Sequence, residues 1–372
     1  MDAASLVPGF RAFAREHATE PVYAQLAAHM AEQPALGALL EAAPPTQRKT
    51  VLLFAAVHDR LLALAEAGRP LPALAEYFAS VGGQRAPDEG LSAAWQSFVA
   101  EHAAALRDTV SSRATQTNEV GRCAVLWPAL SAISLAHGGR PLALFDFGCS
   151  AGLNLCVDEM PVDWLAHTGE RVLASAGPPP PAQPRLSCRL VDDRLPPVQP
   201  WRLVARLGTD PQPVDIDDAR EVRWLRACLW PSETERVARF DAALALARRA
   251  RHPVQRAEDG LAVLEAWLGT LPDGTVPVLF HSWVLFYFDA PALARHIDRV
   301  RALVRGRGLV WLAAEDAACS QAIAGEPAPA RPGGAAGTPT WWTCTARGDG
   351  GEPATRWLAC SHPHGRWMAW RG

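Results

Sequence analysis

Residues 142–154 read Leu-Ala-Leu-Phe-Asp-Phe-Gly-Cys-Ser-Ala-Gly-Leu-Asn: an apolar run ending in Asp146, then Gly148, Ser150, Gly152 and Asn154. An apolar run this short reads as a strand buried on both faces of a parallel sheet. Gly148 permits a tight turn, and Gly152 lets main chain come close to a ligand. A helix opening just beyond would aim unpaired N–H groups at an anionic group. The pattern D-x-G-x-x-x-G-x-N is not the G-x-G-x-x-G dinucleotide fingerprint, because its glycines lie four apart and a carboxylate precedes them. Two more acids come after strand-like runs. Asp210 closes Arg206-Leu207-Gly208-Thr209-Asp210, where a carboxylate could accept both hydroxyls of a ribose. Asp259 lies just past the run Val254–Ala257. A lone acid of this kind is more commonly a helix cap, and three in order after successive strands are what point to a bound nucleoside.

The Asp146–Asn154 segment resembles the first motif of class I S-adenosylmethionine-dependent methyltransferases. The resemblance implies S-adenosylmethionine as cofactor, with Asp146, Gly148, Ser150, Gly152, Asn154, Asp210, Asp259 and Arg122 as its binding residues. Asp259 would then meet the adenine amino group and Arg122 the amino-acid carboxylate. His281, at the end of Leu279-Phe280-His281, is placed for a general base, with a core histidine bonded to its neighbours as the plain alternative. Glu119, in the polar lip Gln116–Arg122, would face the reacting groups, though a capped helix start explains that lip as well. Ser282 with His281 and Asp259 does not make a hydrolase, since no G-x-S-x-G elbow exists. His362 and His364 lack a third ligand, and no metal site is expected.

The elements that must position these groups fall into two textures. Up to about residue 115, apolar residues recur at helical spacing in Val22–Leu40, Val51–Ala67 and Leu91–Leu106, separated by Pro- and Gly-rich loops. After that, strands are expected at Leu142–Phe147, Leu203–Leu207, Val254–Ala257, Val276–His281 and Gly308–Ala313, with helices at Gly152–Asp158, Arg220–Arg251 and Pro291–Arg305. Tryptophan-rich runs near the C-terminus read as a hairpin, and Ala324–Gly337 as a mobile loop or lid. The expected architecture is therefore α/β: a Rossmann-like class I methyltransferase fold with a mostly parallel seven-stranded sheet and a C-terminal antiparallel hairpin. It spans residues 116–372, carries an insertion at about 157–200, and is preceded by an α-helical module at 1–115.

Length and composition agree with this and narrow the partners. The chain has 372 residues, 49% hydrophobic and 20% charged, enough apolar material for a packed core. A net charge of −3 gives no global field for nucleic acid, and no apolar run is long enough for a bilayer. Eight scattered cysteines without a C-x-x-C pair suggest reduced thiols, hence a cytoplasmic location. A small-molecule substrate is expected, with no nucleic acid and no membrane, and a homodimer is left open. Arginine supplies all basic residues but Lys49, which we read as compositional bias.

Several segments together resemble the bacterial domain-of-unknown-function family 2332. They are Thr46-Gln47-Arg48, Ala55-Ala56-Val57-His58, Gln116–Arg122, Ser150–Leu155, Arg206-x-Gly208-x-Asp210, Pro213-Val214-Asp215, Arg223-Trp224-Leu225, Trp230-Pro231 and His281-Ser282. The chain departs from that family's tendency toward E-I-G-A at Asp146-Phe147-Gly148-Cys149, which keeps the carboxylate and adds a thiol. The resemblance implies a methyltransferase-like core without a settled reaction. Methyl transfer to a small acceptor by in-line displacement is the expected activity. A nucleoside-binding regulatory protein without turnover, or an adenosyl-cofactor enzyme of other chemistry, are the alternatives.

Overall fold

The computed structural model describes residues 3–116, 118–333 and 337–372. Thr117 of the polar lip and residues 334–336 of the expected mobile loop lie outside them. The chain divides into two compact units, Met1–Thr117 with Asp215–Ala238, and Asn118–Val214 with Arg239–Gly372.

In the first unit the helices Val7–Glu16, Pro21–Glu32, Thr50–Glu66, Gly90–Glu101, Ala103–Ser112 and Ala219–Ala227 enclose an aromatic core. Tyr23 stacks on Phe54 at 4.3 Å, and Trp95 meets Phe54 edge-on at 5.7 Å. The boundary expected at 115 is thus incomplete, because residues 215–238 return to this unit. Arg223 on the returning helix pairs with Asp59 at 2.9 Å and Glu66 at 3.1 Å. His58, wholly buried, donates from Nδ1 to the Ala227 carbonyl at 3.0 Å and accepts at Nε2 from Ser80 Oγ at 2.6 Å. The single helix expected over 220–251 is interrupted: it ends at Ala227 and resumes at Thr234, with Pro231 between.

The second unit is built on one sheet. Its strands are β1 (Leu142–Phe147), β2 (Val162–Leu165), β3 (Val172–Ala176), β4 (Leu186–Leu190), β5 (Leu203–Asp210), β6 (Val254–Arg256), β7 (Val276–Ser282), β8 (Val310–Glu315), β9 (Thr340–Arg347), β10 (Pro353–Ser361) and β11 (Trp367–Trp370). They lie in the order β3-β2-β4-β11-β10-β9-β8-β7-β1-β5-β6. The five strands β6, β5, β1, β7 and β8 are mutually parallel. Counted among themselves in chain order they run 3-2-1-4-5, as in doubly wound nucleotide-binding sheets, whose ligands sit at the carboxyl ends where the order reverses. Here that switch point lies between β1 and β7.

The rest of the sheet corrects the expectation of seven strands. Eleven strands form it, and the C-terminal part is a three-stranded antiparallel meander, β9-β10-β11, rather than a hairpin. Residues 157–200 supply β2, β3 and β4, which continue the sheet beyond β11. Pairing with β4 covers the main-chain edge that β11 would otherwise present. Trp341, Trp342, Trp367 and Trp370 are all buried. Around the parallel strands, the helices Gly260–Leu268, Ala290–Arg307 and Ala317–Ala324 start at Asp259, Asp289 and Asp316, whose carboxylates accept main-chain N–H groups. Their apolar faces close over Phe145, Leu279 and Trp311.

Burial lowers the His58 pKa from 6.5 to about 4. Between those values the unfolded chain takes a proton that the folded chain refuses, so stability is full above pH 6.5 and falls as pH drops toward 4, by up to about 1.4 kcal/mol per pH unit. Circular-dichroism melts from pH 7.5 to 4.5 should show this decline. In His58→Gln the melting temperature is lower at pH 7.5, and its further fall with acid is smaller.

Candidate functional site

The carboxyl ends of β1, β5 and β7 gather most of the residues that the sequence motifs single out. Asp146 is 2% exposed and sits opposite Gly208 of β5 and Phe280 of β7. The chain then turns through Gly148, φ +71°. A Cβ there would lie 2.5 Å from Val284 Cγ2, so only glycine fits both the conformation and the contact. Ser150 is held at φ +53°, a strained value for a residue with a side chain. Its N–H donates to Asp210 Oδ2 at 2.9 Å, and the other Asp210 oxygen accepts from Gln212 N at 2.8 Å. Asn118 Nδ2 donates to Ser150 Oγ at 2.6 Å. Asp210 therefore fastens the turn after β1 to the end of β5.

The helix expected from Gly152 does not form as such. Leu153–Glu159 is a kinked 3-10 segment, not an α-helix, and does not present the array of aligned N–H groups that an anion would need. Asn154 Oδ1 accepts a weak bond from the Cys123 thiol at 3.4 Å. Burial pushes the Cys149 thiol pKa well up, and its sulfur packs near Gly208, so it is no nucleophile.

Glu119 caps the short turn Val120–Arg122 by accepting from Gly121 N at 2.9 Å. Arg122, 4% exposed, donates from Nη1 to Ser282 Oγ at 2.8 Å and from Nε to the Pro363 carbonyl at 2.8 Å. The turn between β10 and β11 thus reaches the site, and its backbone packs directly on Gly121: a Cβ on Gly365 would lie 1.9 Å from the Gly121 carbonyl oxygen. Proximity of this kind has no sequence signal beyond two isolated glycines.

Two expectations are corrected. His281 is wholly buried with both ring nitrogens occupied: Nδ1 donates to Glu315 Oε1 at 2.8 Å, and Nε2 accepts from Trp311 Nε1 at 2.8 Å. No lone pair remains for a substrate, so His281 is not a general base. The Asp259 carboxylate caps the helix Gly260–Leu268 and forms a bidentate pair with Arg299 at 2.8 and 2.9 Å. Arg299 first, then the helix-capping contact, holds its pKa below the usual carboxylate range. The contacts it makes serve the fold, and its side chain is 57% exposed. The residue that sequence reasoning missed is Glu315, also wholly buried, whose Oε1 accepts from Val284 N and Leu285 N as well as from His281. Its signal was the one used for Asp146, an acid closing an apolar strand, but the expected strand stopped at Ala313.

Over residues 8–370 the sequence matches the family described as "Uncharacterized protein conserved in bacteria (DUF2332)". The chain belongs to this family. No curated protein and no solved structure matches it. No helix among the described residues is long and apolar enough to cross a membrane.

One further cluster in this DUF2332 chain has metal-ligand chemistry. Cys156, Glu159 and His252 bring ligand atoms within 4.8 Å of one another. Arg206, however, stands 3.2 Å from His252 Nε2 and 3.8 Å from Glu159 Oε1, while the Cys156 thiol pKa is pushed up to about 12 by burial. His252 Nε2 and Glu159 Oε1 already bond each other at 2.6 Å beside that guanidinium, and a protonated thiol is a poor ligand.

The most perturbed group at the strand ends is Asp146. Burial foremost, then the Asp210 charge, raise its pKa from 3.8 to about 8 against the opposing pull of Arg122. Its Oδ2 has no hydrogen-bond partner. Between pH 3.8 and 8 the folded state holds a proton that the unfolded state releases, so this group's contribution is lost as pH rises, by up to about 1.4 kcal/mol per unit. Asp146→Asn should consequently melt a few degrees above the wild type at pH 8, and the gain should vanish near pH 4 in scanning calorimetry.

Proposed function

We propose that the strand-end site of this DUF2332 protein binds S-adenosylmethionine and that the protein transfers its methyl group to a small-molecule acceptor. The observation that carries the reading is the Asp146 carboxyl, buried at the switch point with one oxygen unpartnered. Keeping an ionisable group there works against folding, which is common where a ligand later meets that group. The cofactor's ammonium fits the unpartnered oxygen, and its charge would favour the ionised acid. Asp210 uses one acceptor position of each oxygen on main-chain N–H groups, and a carboxylate has further lone pairs for ribose hydroxyls. Arg122, close enough to depress the Asp146 pKa, fits the amino-acid carboxylate.

Bound, the cofactor supplies an activated methyl group on a sulfonium. The chain's own contribution is alignment and exclusion of water rather than proton transfer. Gly148, Ser150, Gly152 and Asn154 shape the turn, and Glu119 positions Arg122 through its cap on Gly121. With His281 closed off, the acceptor must carry its own nucleophilic lone pair. The same closure removes the acid–base pair that other adenosyl-cofactor chemistry would use. It favours, as a second reading, a protein that holds the nucleoside without turnover.

Titration calorimetry with S-adenosylhomocysteine tests the cofactor. Affinity should be micromolar at pH 8 and weaken toward pH 6.5, because binding the ionised acid releases a proton; Asp146→Asn should lose that slope. Asp210→Ala should weaken binding by about tenfold or more. Absence of binding ends the reading, and binding without transfer of labelled methyl to any small molecule leaves the second one.

A further inference from the structure

At the opposite, amino-terminal ends of β1, β7 and β8 the second unit contains a cavity of about 560 Å³. Its floor is apolar, with buried Ile133, Val276, Val310 and Cys344. Its wall is cationic: Arg140, Arg307, Arg347 and Arg356 line it together with His137, and no Asp or Glu does. The chain as a whole has 39 acidic residues against 36 basic ones, so four arginines around one concavity without a carboxylate depart from its background. Several other arginines of this unit are ion-paired, among them Arg299 with Asp259, Arg305 with Glu352, Arg185 with Asp163 and Arg206 with Asp158.

The four cavity arginines make no ion pair among the described residues. Arg140 donates to the Gly274 and Thr275 carbonyls at 2.8 and 3.3 Å, and Arg347 to the Arg305 carbonyl. Arg356 reaches the Cys344 thiol. These contacts orient guanidinium groups without neutralising them. Gathered like charges repel, and an anion in their midst relieves the repulsion. Guanidinium forks match phosphate oxygens, and a cavity of this size holds a ligand of nucleotide dimensions.

We infer that this cavity is a second ligand site, distinct from the switch point, for a small phosphorylated molecule with two or more phosphates, of the nucleoside di- or triphosphate class. Such a site stands whatever binds at the carboxyl ends.

Titration calorimetry of the full-length protein with ATP, tripolyphosphate and adenosine at about 150 mM salt, where surface charge is screened, tests it. ATP should bind with Kd on the order of 10–100 µM. Tripolyphosphate should bind too, and any binding of adenosine should be the same in the arginine variant below as in the wild type. The double variant Arg307→Ala/Arg356→Ala, whose side chains are exposed and whose melting temperature should stay as in the wild type, should weaken ATP by about tenfold or more. Asp210→Ala should leave ATP binding unchanged. Failure of both polyanions to bind, binding that survives the double variant, or binding of an RNA 12-mer alone would each overturn the proposal.

Discussion

One carboxylate oxygen, Glu315 Oε1, organises the switch point. In a fully buried position it accepts hydrogen bonds from His281 Nδ1, Val284 N and Leu285 N. A charge-assisted cluster of this kind inside a core is strong because every donor is fixed by the strands that carry it. Holding Val284 in place fills the space that a side chain at residue 148 would need, which is why the turn after β1 must be glycine. The same loop presents Ser282 to Arg122. The turn after β1, the end of β7 and the Arg122 contact are thus consequences of one buried acid. His281 is part of that scaffold, since its second nitrogen is tied by Trp311.

The acids at the strand ends divide by whether their acceptors are filled. Asp210 and Asp259 have each oxygen bonded to a main-chain N–H group or an arginine, whereas Glu315, like Asp146, leaves one oxygen without a partner. Asp146 is the one whose pKa is driven up to about 8, by burial foremost and then by the Asp210 charge. Folding alone would favour an asparagine or an apolar residue there. A residue that opposes folding and sits at the ligand-binding end of a doubly wound order is where sequence, topology and electrostatics converge.

Much of this was legible in the sequence, for identifiable reasons. Four of the five parallel strands stand out as short apolar runs, and the ends of all five were right to within a few residues: β5, expected over Leu203–Leu207, runs on to Asp210. The turn at Gly148 was readable from the glycine spacing. Other features depended on side-chain contacts between distant segments, which local pattern does not encode. Nothing near His281 announces that Trp311 and Glu315 would take both its nitrogens, because the three meet only when β7 and β8 pair in register, His281 beside Ala313. Residues 215–238 look like any helix of the α/β half, and only Arg223 pairing with Asp59 and Glu66, with His58 on the Ala227 carbonyl, assigns part of them elsewhere. The cationic cavity was hidden by composition: in a chain whose basic residues are nearly all arginine, four more carry no local signal.

The antiparallel meander, where the sheet departs most from the expected plan, contributes to both ends of the parallel strands. At the carboxyl side, Thr340 at the start of β9 accepts from Trp283 Nε1 at 2.8 Å, fixing a residue held at φ +57°, and the turn after β10 supplies the Pro363 carbonyl to Arg122. At the amino side, the end of β9 and the middle of β10 bring Cys344, Arg347 and Arg356 to the cavity. Because β9 runs antiparallel to β8, one strand of eight residues touches both regions. Lengthening or slipping that strand by one residue would turn its side chains to the other face and disturb both together. The register Trp311 to Thr345 and Glu315 to Trp341 is therefore the constraint that the two ends share.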